Sequence, residues 1–478
     1  MVSFIKGYIC TAFFLLALAG RISGTDCCTV NITGDAPGYA GEEIVFYRWT
    51  DQISFTETEL FTVVPDSNGE FSARIEVCDA PLYIFSNTGI YYIYMYIESG
   101  SDYRVVLPEK TDKSLREELN PYFEGIPTHI AVLNHDSTEL NSLIRSFDEM
   151  YEPLFGEPFM RLTTGGDTDI LDSISTVFDR HFSDAGHPYF NDYRSYKMAL
   201  FRIMAQMESA RTLSDTYFRS EPVKYRNVAY MEVFNQVYNR YFLFFSRTVK
   251  GGRIFDDINK RQSLTDLRNT LSTDPVLGDE RLLEMVILKG LHDAFYGSDF
   301  SRSGLLVVLD SLAAVTRYSE HVAIAENIRE KVTRLMTGFR PPAFELRNRE
   351  GEIVSLPHYR GDYVYLNFCM AASYGCLSEF DVLARLNENH DEYLRIVTIF
   401  VDESHQSMLE FLDKTGYDWD FLFYGDQPSI LKEYDIRMFP TYYLIDRDGT
   451  LLMSPAPNPA ENFEGYLLRV MRSRGEVK

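Results

Sequence analysis

The stretch NFCMAASYGCLSE, residues 367–379, decides the fold of the C-terminal region. It follows an apolar run typical of a buried strand, and it precedes a segment with helical periodicity. Cys369, Ser373 and Cys376 lie at this junction. The N–H groups and the dipole at a helix N-terminus stabilise a nearby thiolate and lower its pKa. The stretch therefore predicts a thiol site where a strand meets a helix.

Strands and helices alternate on both sides of this junction. Arg340-Pro341-Pro342 marks a linker, because two prolines cannot continue a helix. The predicted strands are 363–368, 394–401, 441–445 and 450–453, and the predicted helices are 376–389, 404–415 and 459–472. This alternation indicates an α/β sheet domain over residues 338–478.

Further motifs lie in order around the junction. They are Gly338-x-x-x-Pro342-Ala343-Phe344, Gly351 to Leu356 followed by Arg360-Gly361, Asn367-Phe368, Cys376-x-x-Glu379, Tyr434-x-Ile436-x-x-Phe439-Pro440-Thr441, and Leu444-Ile445-Asp446-x-x-Gly449. Together they resemble the TlpA/ResA-like branch of the thioredoxin superfamily. The resemblance covers residues 338–478 and implies a thioredoxin-like fold that acts on protein or peptide thiols and disulfides.

The resemblance also assigns the site residues. Ser373 takes the position of the attacking thiol in the C-x-x-C pair, Cys376 is the second thiol, and Glu379 matches the family's helix glutamate. Pro440 matches the cis-proline, with Phe439 and Thr441 beside it at the substrate-binding edge. A serine hydroxyl stays protonated near neutral pH, so it cannot attack a disulfide as a thiolate does. We therefore expect a degenerate redox site that binds partners without turnover.

Two alternatives stay open. Cys376 could work with Cys369 or with a partner's thiol as an active oxidoreductase, although we expect the Cys369 side chain to point away from the helix. The spacing Cys369-x-x-x-Ser373-x-x-Cys376 also resembles the P-x-x-x-T-x-x-C of peroxiredoxins. That family needs an arginine where this chain has Pro440, and Arg437 is out of register, which disfavours a peroxidase.

Two further regions precede the linker. Residues 27–110 contain short alternating runs separated by turns, which predict an antiparallel all-β sandwich. Residues 111–336 have helical periodicity and predict an all-α region, with helices at 195–211, 231–245 and 282–295. Aromatic residues are abundant in this region, and we interpret them as core packing. The predicted fold class is therefore multidomain: a β-sandwich, a helical region and a thioredoxin-like α/β domain.

The first 19 residues resemble a signal peptide, with Lys6 before an apolar stretch and Ala17-Leu18-Ala19 as a cleavage site. This predicts an exported protein of the periplasm or cell envelope. No later segment has transmembrane length, and Asp26 before Cys27 disfavours a lipid anchor.

Five of the six cysteines remain once Cys10 leaves with the signal peptide. Either Cys27 or Cys28 could pair with Cys78, or all three could be buried as small apolar residues.

A net charge of −24 argues against nucleic-acid binding and against docking on anionic lipid. His358, His390 and His405 are scattered and form no ligand set with the cysteines, so we predict no metal site and no cofactor. Binding of a ligand by the β-sandwich or the helical region is a third possible function, but no sequence motif in these regions identifies the ligand.

Overall fold

The computed structural model describes residues 27–477, except 79–80, 119, 121–122, 167–168 and 220. The predicted signal peptide, residues 1–19, lies outside the described residues. Within the described residues, no helix combines the length and the apolar character that crossing a bilayer requires.

The described N-terminal region is built from nine strands and one short helix. These are β1 Cys28–Asp35, β2 Ile44–Trp49, β3 Glu57–Val63, β4 Glu70–Val77, β5 Leu82–Thr88, β6 Tyr91–Ile97, β7 Asp102–Val106, α1 Leu115–Glu118, β8 Ile126–His129 and β9 Ala131–Val132. They form two sheets, with strand orders β4-β1-β7-β9 and β3-β2-β5-β6-β8. The strands thus continue past the predicted boundary at residue 110. The expectation of a purely antiparallel sandwich is wrong, because β1 pairs with β7 and β6 with β8 in parallel.

A disulfide between Cys27 and Cys78 joins the start of β1 to the end of β4. These two strands are antiparallel neighbours, and Cys28 lies opposite Val77 in their register. The structure therefore pairs Cys78 with Cys27 rather than with Cys28.

Both faces of the second sheet are covered. In β6, Ile93, Met95 and Ile97 face the sandwich core, whereas Tyr96 belongs to the core of the helical region. The Tyr96 ring lies 5.6 Å from that of Tyr189. A strand covered on both faces needs apolar residues throughout, which explains the sequence YYIYMYI.

Twelve helices follow in the described residues. These are α2 Leu140–Tyr151, α3 Glu157–Thr163, α4 Asp169–His181, α5 Pro188–Met204, α6 Ala210–Tyr217, α7 Val228–Val237, α8 Tyr241–Ser246, α9 Ile254–Asn259, α10 Leu264–Leu271, α11 Glu280–Phe295, α12 Arg302–Val315 and α13 Ser319–Thr333. Short 3₁₀ turns lie at Glu152–Phe155, Pro275–Leu277, Leu356–Tyr359 and Tyr424–Asp426.

Two of the predicted helices are broken in the structure. The helix predicted over 195–211 ends at Met204, and Ser209 begins a new helix by accepting a hydrogen bond from the Thr212 N–H at 3.1 Å. The helix predicted over 231–245 is interrupted at Arg240, whose φ is +50°. Apolar periodicity alone does not detect such breaks, because the residues on both sides are buried.

The described part of the C-terminal region contains seven strands and four helices. These are β10 Glu345–Arg347, β11 Ile353–Ser355, β12 Tyr363–Met370, α14 Tyr374–His390, β13 Leu394–Val401, α15 His405–Thr415, β14 Asp420–Phe423, α16 Ile430–Glu433, β15 Thr441–Ile445, β16 Leu451–Met453 and α17 Phe463–Ser473. The main sheet has the order β14-β13-β12-β15-β16, with β12, β13 and β14 parallel and β15 and β16 antiparallel. The sequence prediction missed the edge strand β14. The predicted three-part fold class is confirmed.

Candidate functional site

Ser373 begins helix α14, between the end of the central strand β12 and the first helical turn. Its backbone is extended (φ −85°, ψ 114°), and its Oγ accepts the N–H of Cys376 at 3.4 Å. The same hydroxyl donates to the carbonyl oxygen of Phe439 at 3.3 Å. Serine is a favoured residue at this position because its oxygen pairs with an otherwise unbonded helix N–H. Ser373 thus connects α14 to the loop that carries Pro440.

Cys376 lies one turn into α14, and its side chain is 0% exposed. Its pKa is lowered, chiefly because the Cys369 thiol donates a hydrogen bond to its sulfur. Burial opposes this effect, while the Met370 N–H, which points at the Cys376 sulfur at 3.4 Å, and the Ser373 hydroxyl support it. The negative charge of Glu379 raises the pKa slightly in return. Cys376 is therefore a buried thiol, and hydrogen-bond donors around its sulfur stabilise the thiolate form.

Cys369 lies at the end of β12 and is also 0% exposed. The expectation that its side chain points away from the helix is wrong, since its thiol contacts that of Cys376. Alternate residues of a strand share a face. Tyr365, on the same face as Cys369, stacks on Phe463 of α17 with ring centroids 3.7 Å apart. Burial raises the pKa of Cys369 well above its usual range. Cys369 therefore stays protonated and donates the hydrogen bond, and the sulfur of Cys376 accepts it.

Glu379 lies beside the two thiols and accepts a short hydrogen bond from the hydroxyl of Tyr442. Burial raises the pKa of the Glu379 carboxyl, while the Tyr442 bond opposes the shift. Tyr442 was missed by the sequence analysis. Its position opposite Asn367 in the β12–β15 register places it on the Cys369 side of the sheet. The signal that could have found it is strand alternation after Pro440.

The loop before β15, which carries Phe439 and Pro440, lies against the start of α14. The Phe439–Pro440 peptide is cis, as the resemblance implies. Gly375 is packed against it, because a Cβ on Gly375 would lie 3.1 Å from the Cδ of Pro440. Thr441 donates its hydroxyl to the Met438 carbonyl at 2.7 Å. The structure thus brings Phe439, Pro440 and Thr441 next to Ser373; their substrate-binding role stays a prediction.

Three apolar side chains around this junction are exposed to solvent. Tyr374 is 85% exposed and Met438 is 70% exposed, and Leu377 on the next turn of α14 is 43% exposed. None of the three was identified from the sequence. We call Tyr374, Leu377 and Met438 the apolar rim of the site.

Other candidates lie apart from the site. Arg437 is ion-paired with Asp435 at 2.6 Å on the surface, and Pro440 occupies the position where peroxiredoxins would need an arginine. His390 bonds Glu464 and Tyr393, and His405 bonds the Asn348 carbonyl. Throughout the described part of the chain, no three His, Cys, Asp or Glu side chains are grouped as metal ligands.

Comparisons with known proteins find similar sequences for part of this chain. Residues 338–453 match the AhpC/TSA family. The chain is 28% identical over 154 residues to the thiol-disulfide oxidoreductase ResA of Bacillus subtilis, which covers 32% of this chain and 82% of that relative. It is 26% identical over 125 residues to the thioredoxin-like protein YneN of the same organism, covering 26% of this chain and 72% of that one.

A solved structure is also similar. The thioredoxin domain of a thiol-disulfide oxidoreductase from Bacteroides vulgatus matches at 22% identity and a TM-score of 0.26, covering 28% of this chain and 97% of that one. From the ordered motifs, the mixed sheet and these matches, we conclude that the C-terminal region is an AhpC/TSA-type thioredoxin-like domain, similar to the thiol-disulfide oxidoreductase ResA.

Proposed function

We propose that this is an exported, thioredoxin-like protein of the cell envelope that binds protein or peptide partners without turning over their disulfides. The observation that carries the proposal is the pair of sulfurs at the site, Cys369 and Cys376, which are both 0% exposed. The N-terminal signal pattern supports export.

The chemistry of thiol–disulfide exchange supports the absence of turnover. A thiolate must reach a substrate sulfur in line with the S–S bond, and a second thiol must then resolve the mixed disulfide. The half-buried position at the head of α14 belongs to Ser373, whose hydroxyl is engaged by Cys376 and Phe439. Cys376 lies behind it and has no access to a protein disulfide.

Binding is supported by what surrounds the hydroxyl. The apolar rim gives an extended peptide apolar contacts, and burying such side chains stabilises a complex by about 25 cal/mol per Å². Pro440 lacks an N–H, and the loop around it is fixed by the Thr441–Met438 and Ser373–Phe439 bonds. A rigid, partly apolar edge of this kind suits a peptide in extended conformation.

Insulin reduction in the presence of dithiothreitol tests the proposal. We expect the natural chain to show no rate above the uncatalysed reaction, and Ser373→Cys to gain turnover because it supplies the missing thiol at the helix N-terminus. Ser378→Cys, which adds a thiol to an exposed position on the same helix, is the matched control and should stay inactive. Turnover by the natural chain equal to that of Ser373→Cys would contradict the proposal.

A second function is favoured by one observation, the contact between the Cys369 and Cys376 thiols. We propose as the alternative that this pair is oxidised by a small disulfide such as oxidised glutathione. The two protein thiols would give up two electrons and two protons and form one S–S bond, and the small disulfide would leave as two thiols. The burial of both sulfurs restricts this reaction to small oxidants.

Mass spectrometry of non-reduced digests tests this alternative. Treatment with oxidised glutathione should link the peptides that contain Cys369 and Cys376, and Cys369→Ser should leave Cys376 as a glutathione adduct or unmodified. If both thiols stay reduced in the natural chain, the alternative is wrong, while the binding proposal is unaffected.

A further inference from the structure

A short basic segment in the helical region stands out from this acidic chain. Residues 233–255 contain no aspartate or glutamate, and they carry Arg240, Arg247, Lys250 and Arg253, in a chain whose net charge is −24. Arg240 immediately precedes α8, Arg247 and Lys250 follow it, and Arg253 immediately precedes α9. We call residues 240–253 the basic loop.

The cations of the basic loop are not neutralised by ion pairs. Within the described residues, none of the four has a carboxylate oxygen within 4 Å, and Lys250 donates instead to the Thr273 carbonyl at 3.1 Å. Elsewhere on the surface many cations are paired, as Arg219 is with Asp215 at 2.7 Å.

Three carboxylates in neighbouring segments form close contacts with other groups. Asp256 pairs with Lys260 at 2.8 Å, Asp274 accepts the Tyr241 hydroxyl at 2.7 Å, and Asp293 pairs with Lys289 at 2.5 Å. Asp293 also accepts the backbone N–H of Arg240 at 3.0 Å. Asp256 still attracts Arg253 at longer range, so among the described residues the loop presents exposed cations without close ion pairs rather than wholly uncompensated charge.

Two apolar side chains project between these charges. Phe244 is 61% exposed, and Val249, at the turn, is fully exposed. The Arg247 guanidinium lies 6.0 Å from the centre of the Phe244 ring. Phe242 and Phe245 of the same helix are buried and anchor it to the helical core. The loop thus combines two exposed apolar side chains with neighbouring cations, next to a helix whose buried phenylalanines anchor it in the core.

We propose that the basic loop docks this protein on the surface of an anionic phospholipid bilayer. Phe244 and Val249 insert at the boundary between headgroups and acyl chains, while Arg247, Lys250 and Arg253 contact lipid phosphates. Peripheral membrane binding needs both parts: a small apolar insertion for depth and a cluster of cations for attraction to anionic lipid.

The net charge of the chain does not exclude this docking. Charges are screened over about 8 Å at physiological ionic strength, so a bilayer in contact with the loop senses the loop and not the distant acidic surface. The net charge of −24 argues against anionic lipid only if the charge is spread evenly over the surface, and the basic loop departs from that average. Exposed apolar side chains between the cations favour a bilayer over a nucleic acid, whose phosphates offer nothing for Phe244 and Val249 to enter.

Co-sedimentation with vesicles tests the proposal. The protein begins at residue 27, which keeps the apolar N-terminal stretch out of the assay and retains all three described hydrophobic cores. We expect binding to vesicles of three parts phosphatidylcholine to one part phosphatidylglycerol, weakened by salt, and no binding to phosphatidylcholine alone.

Variants separate the contribution of the cations from that of the inserted apolar side chains. Arg247→Gln with Arg253→Gln should weaken binding about 25-fold, since each cation near an anionic surface contributes about fivefold. Lys414→Gln, an exposed lysine on α15, is the matched control and should bind as the natural chain does. Equal loss in Lys414→Gln would overturn the proposal, because it would show a general effect of charge.

Tryptophan fluorescence measures whether the tip of the loop at residue 249 inserts into the bilayer. The indole of Val249→Trp should shift its emission to shorter wavelength on phosphatidylglycerol vesicles and be quenched by brominated lipid. Val315→Trp, at another exposed valine, should do neither. An unshifted Val249→Trp spectrum at vesicle saturation, or no sedimentation at low salt, contradicts membrane docking.

Discussion

Glu379 is a partly buried carboxyl of the candidate site, and its ionisation affects the stability of the fold. Its carboxyl is partly buried beside two thiols, and burial raises its pKa above 4.5 while the Tyr442 hydroxyl holds the ionised form. A group whose pKa is raised on folding contributes stability below its unfolded pKa, and that contribution is lost as the pH rises through the folded pKa. The ionised carboxyl therefore weakens the folded state at neutral pH.

We expect Glu379→Gln to increase the free energy of unfolding at neutral pH, because glutamine removes the buried charge and still accepts the Tyr442 hydroxyl. The gain should stay below about 1 kcal/mol, since the carboxyl is only partly buried. It should shrink as the pH falls toward 4.5 and disappear well below that value, where Glu379 is protonated in both the folded and the unfolded state. Urea denaturation at both pH values measures it, with the exposed Glu388→Gln on the same helix as the control. A gain that does not depend on pH would contradict this explanation.

Helix α11 is the central element of the helical region, and its packing depends on one glycine. Nearly all of its residues between Leu282 and Leu291 are buried. A Cβ built on Gly290 would lie 2.4 Å from a ring carbon of Phe242 in α8. The absence of a side chain at Gly290 is what lets α8 lie so close to α11.

We expect Gly290→Ala to destabilise the protein, although alanine is the better helix former. The gain in helix propensity is about 1 kcal/mol, and overpacking a core costs about 1–3 kcal/mol. A net loss of about 1 kcal/mol should appear in urea denaturation. Gly252→Ala, where the nearest atom would be 3.7 Å away, is the control and should change stability by less than about 0.5 kcal/mol. Equal stability of the two variants would argue against the close approach.

At the scale of the whole molecule, the segment after β2 joins the three regions. Asp51 accepts hydrogen bonds from the N–H groups of Ile53 and Ser54 at 2.8 and 2.7 Å and from the Asn327 side chain at 2.9 Å. Glu57 pairs with Lys432 of the thioredoxin-like region at 2.8 Å. The contact with the helical region is partly buried, whereas the contact with the thioredoxin-like region is exposed.

We expect Asp51→Ala to destabilise the β and helical regions together by about 1–3 kcal/mol, because several buried donors lose their acceptor. The two tryptophans report separately: Trp49 ends β2, and Trp419 is buried in the thioredoxin-like core. In single-tryptophan variants, the Trp49 transition in urea should move more than the Trp419 transition. The exposed Glu43→Ala is the control. Equal shifts of both transitions would instead show that the whole chain unfolds as one unit.

The sequence by itself determined the order of the elements that carry the site, from β12 and α14 to β15, and the hydroxyl at Ser373. Apolar periodicity and turn residues are local, so they can be read along the chain. Only the tertiary structure decided that Cys369 meets Cys376. Every residue of β12 from Tyr363 to Cys369 is buried, so no polar alternation distinguishes its two faces.

Likewise, the helix breaks at Ala205–Glu208 and Arg240 and the missing counter-ions of the basic loop depend on contacts between distant segments. Net charge and composition average over these contacts. The fold lets a strongly acidic chain present one basic surface, because it engages the neighbouring carboxylates Asp256, Asp274 and Asp293 with other partners.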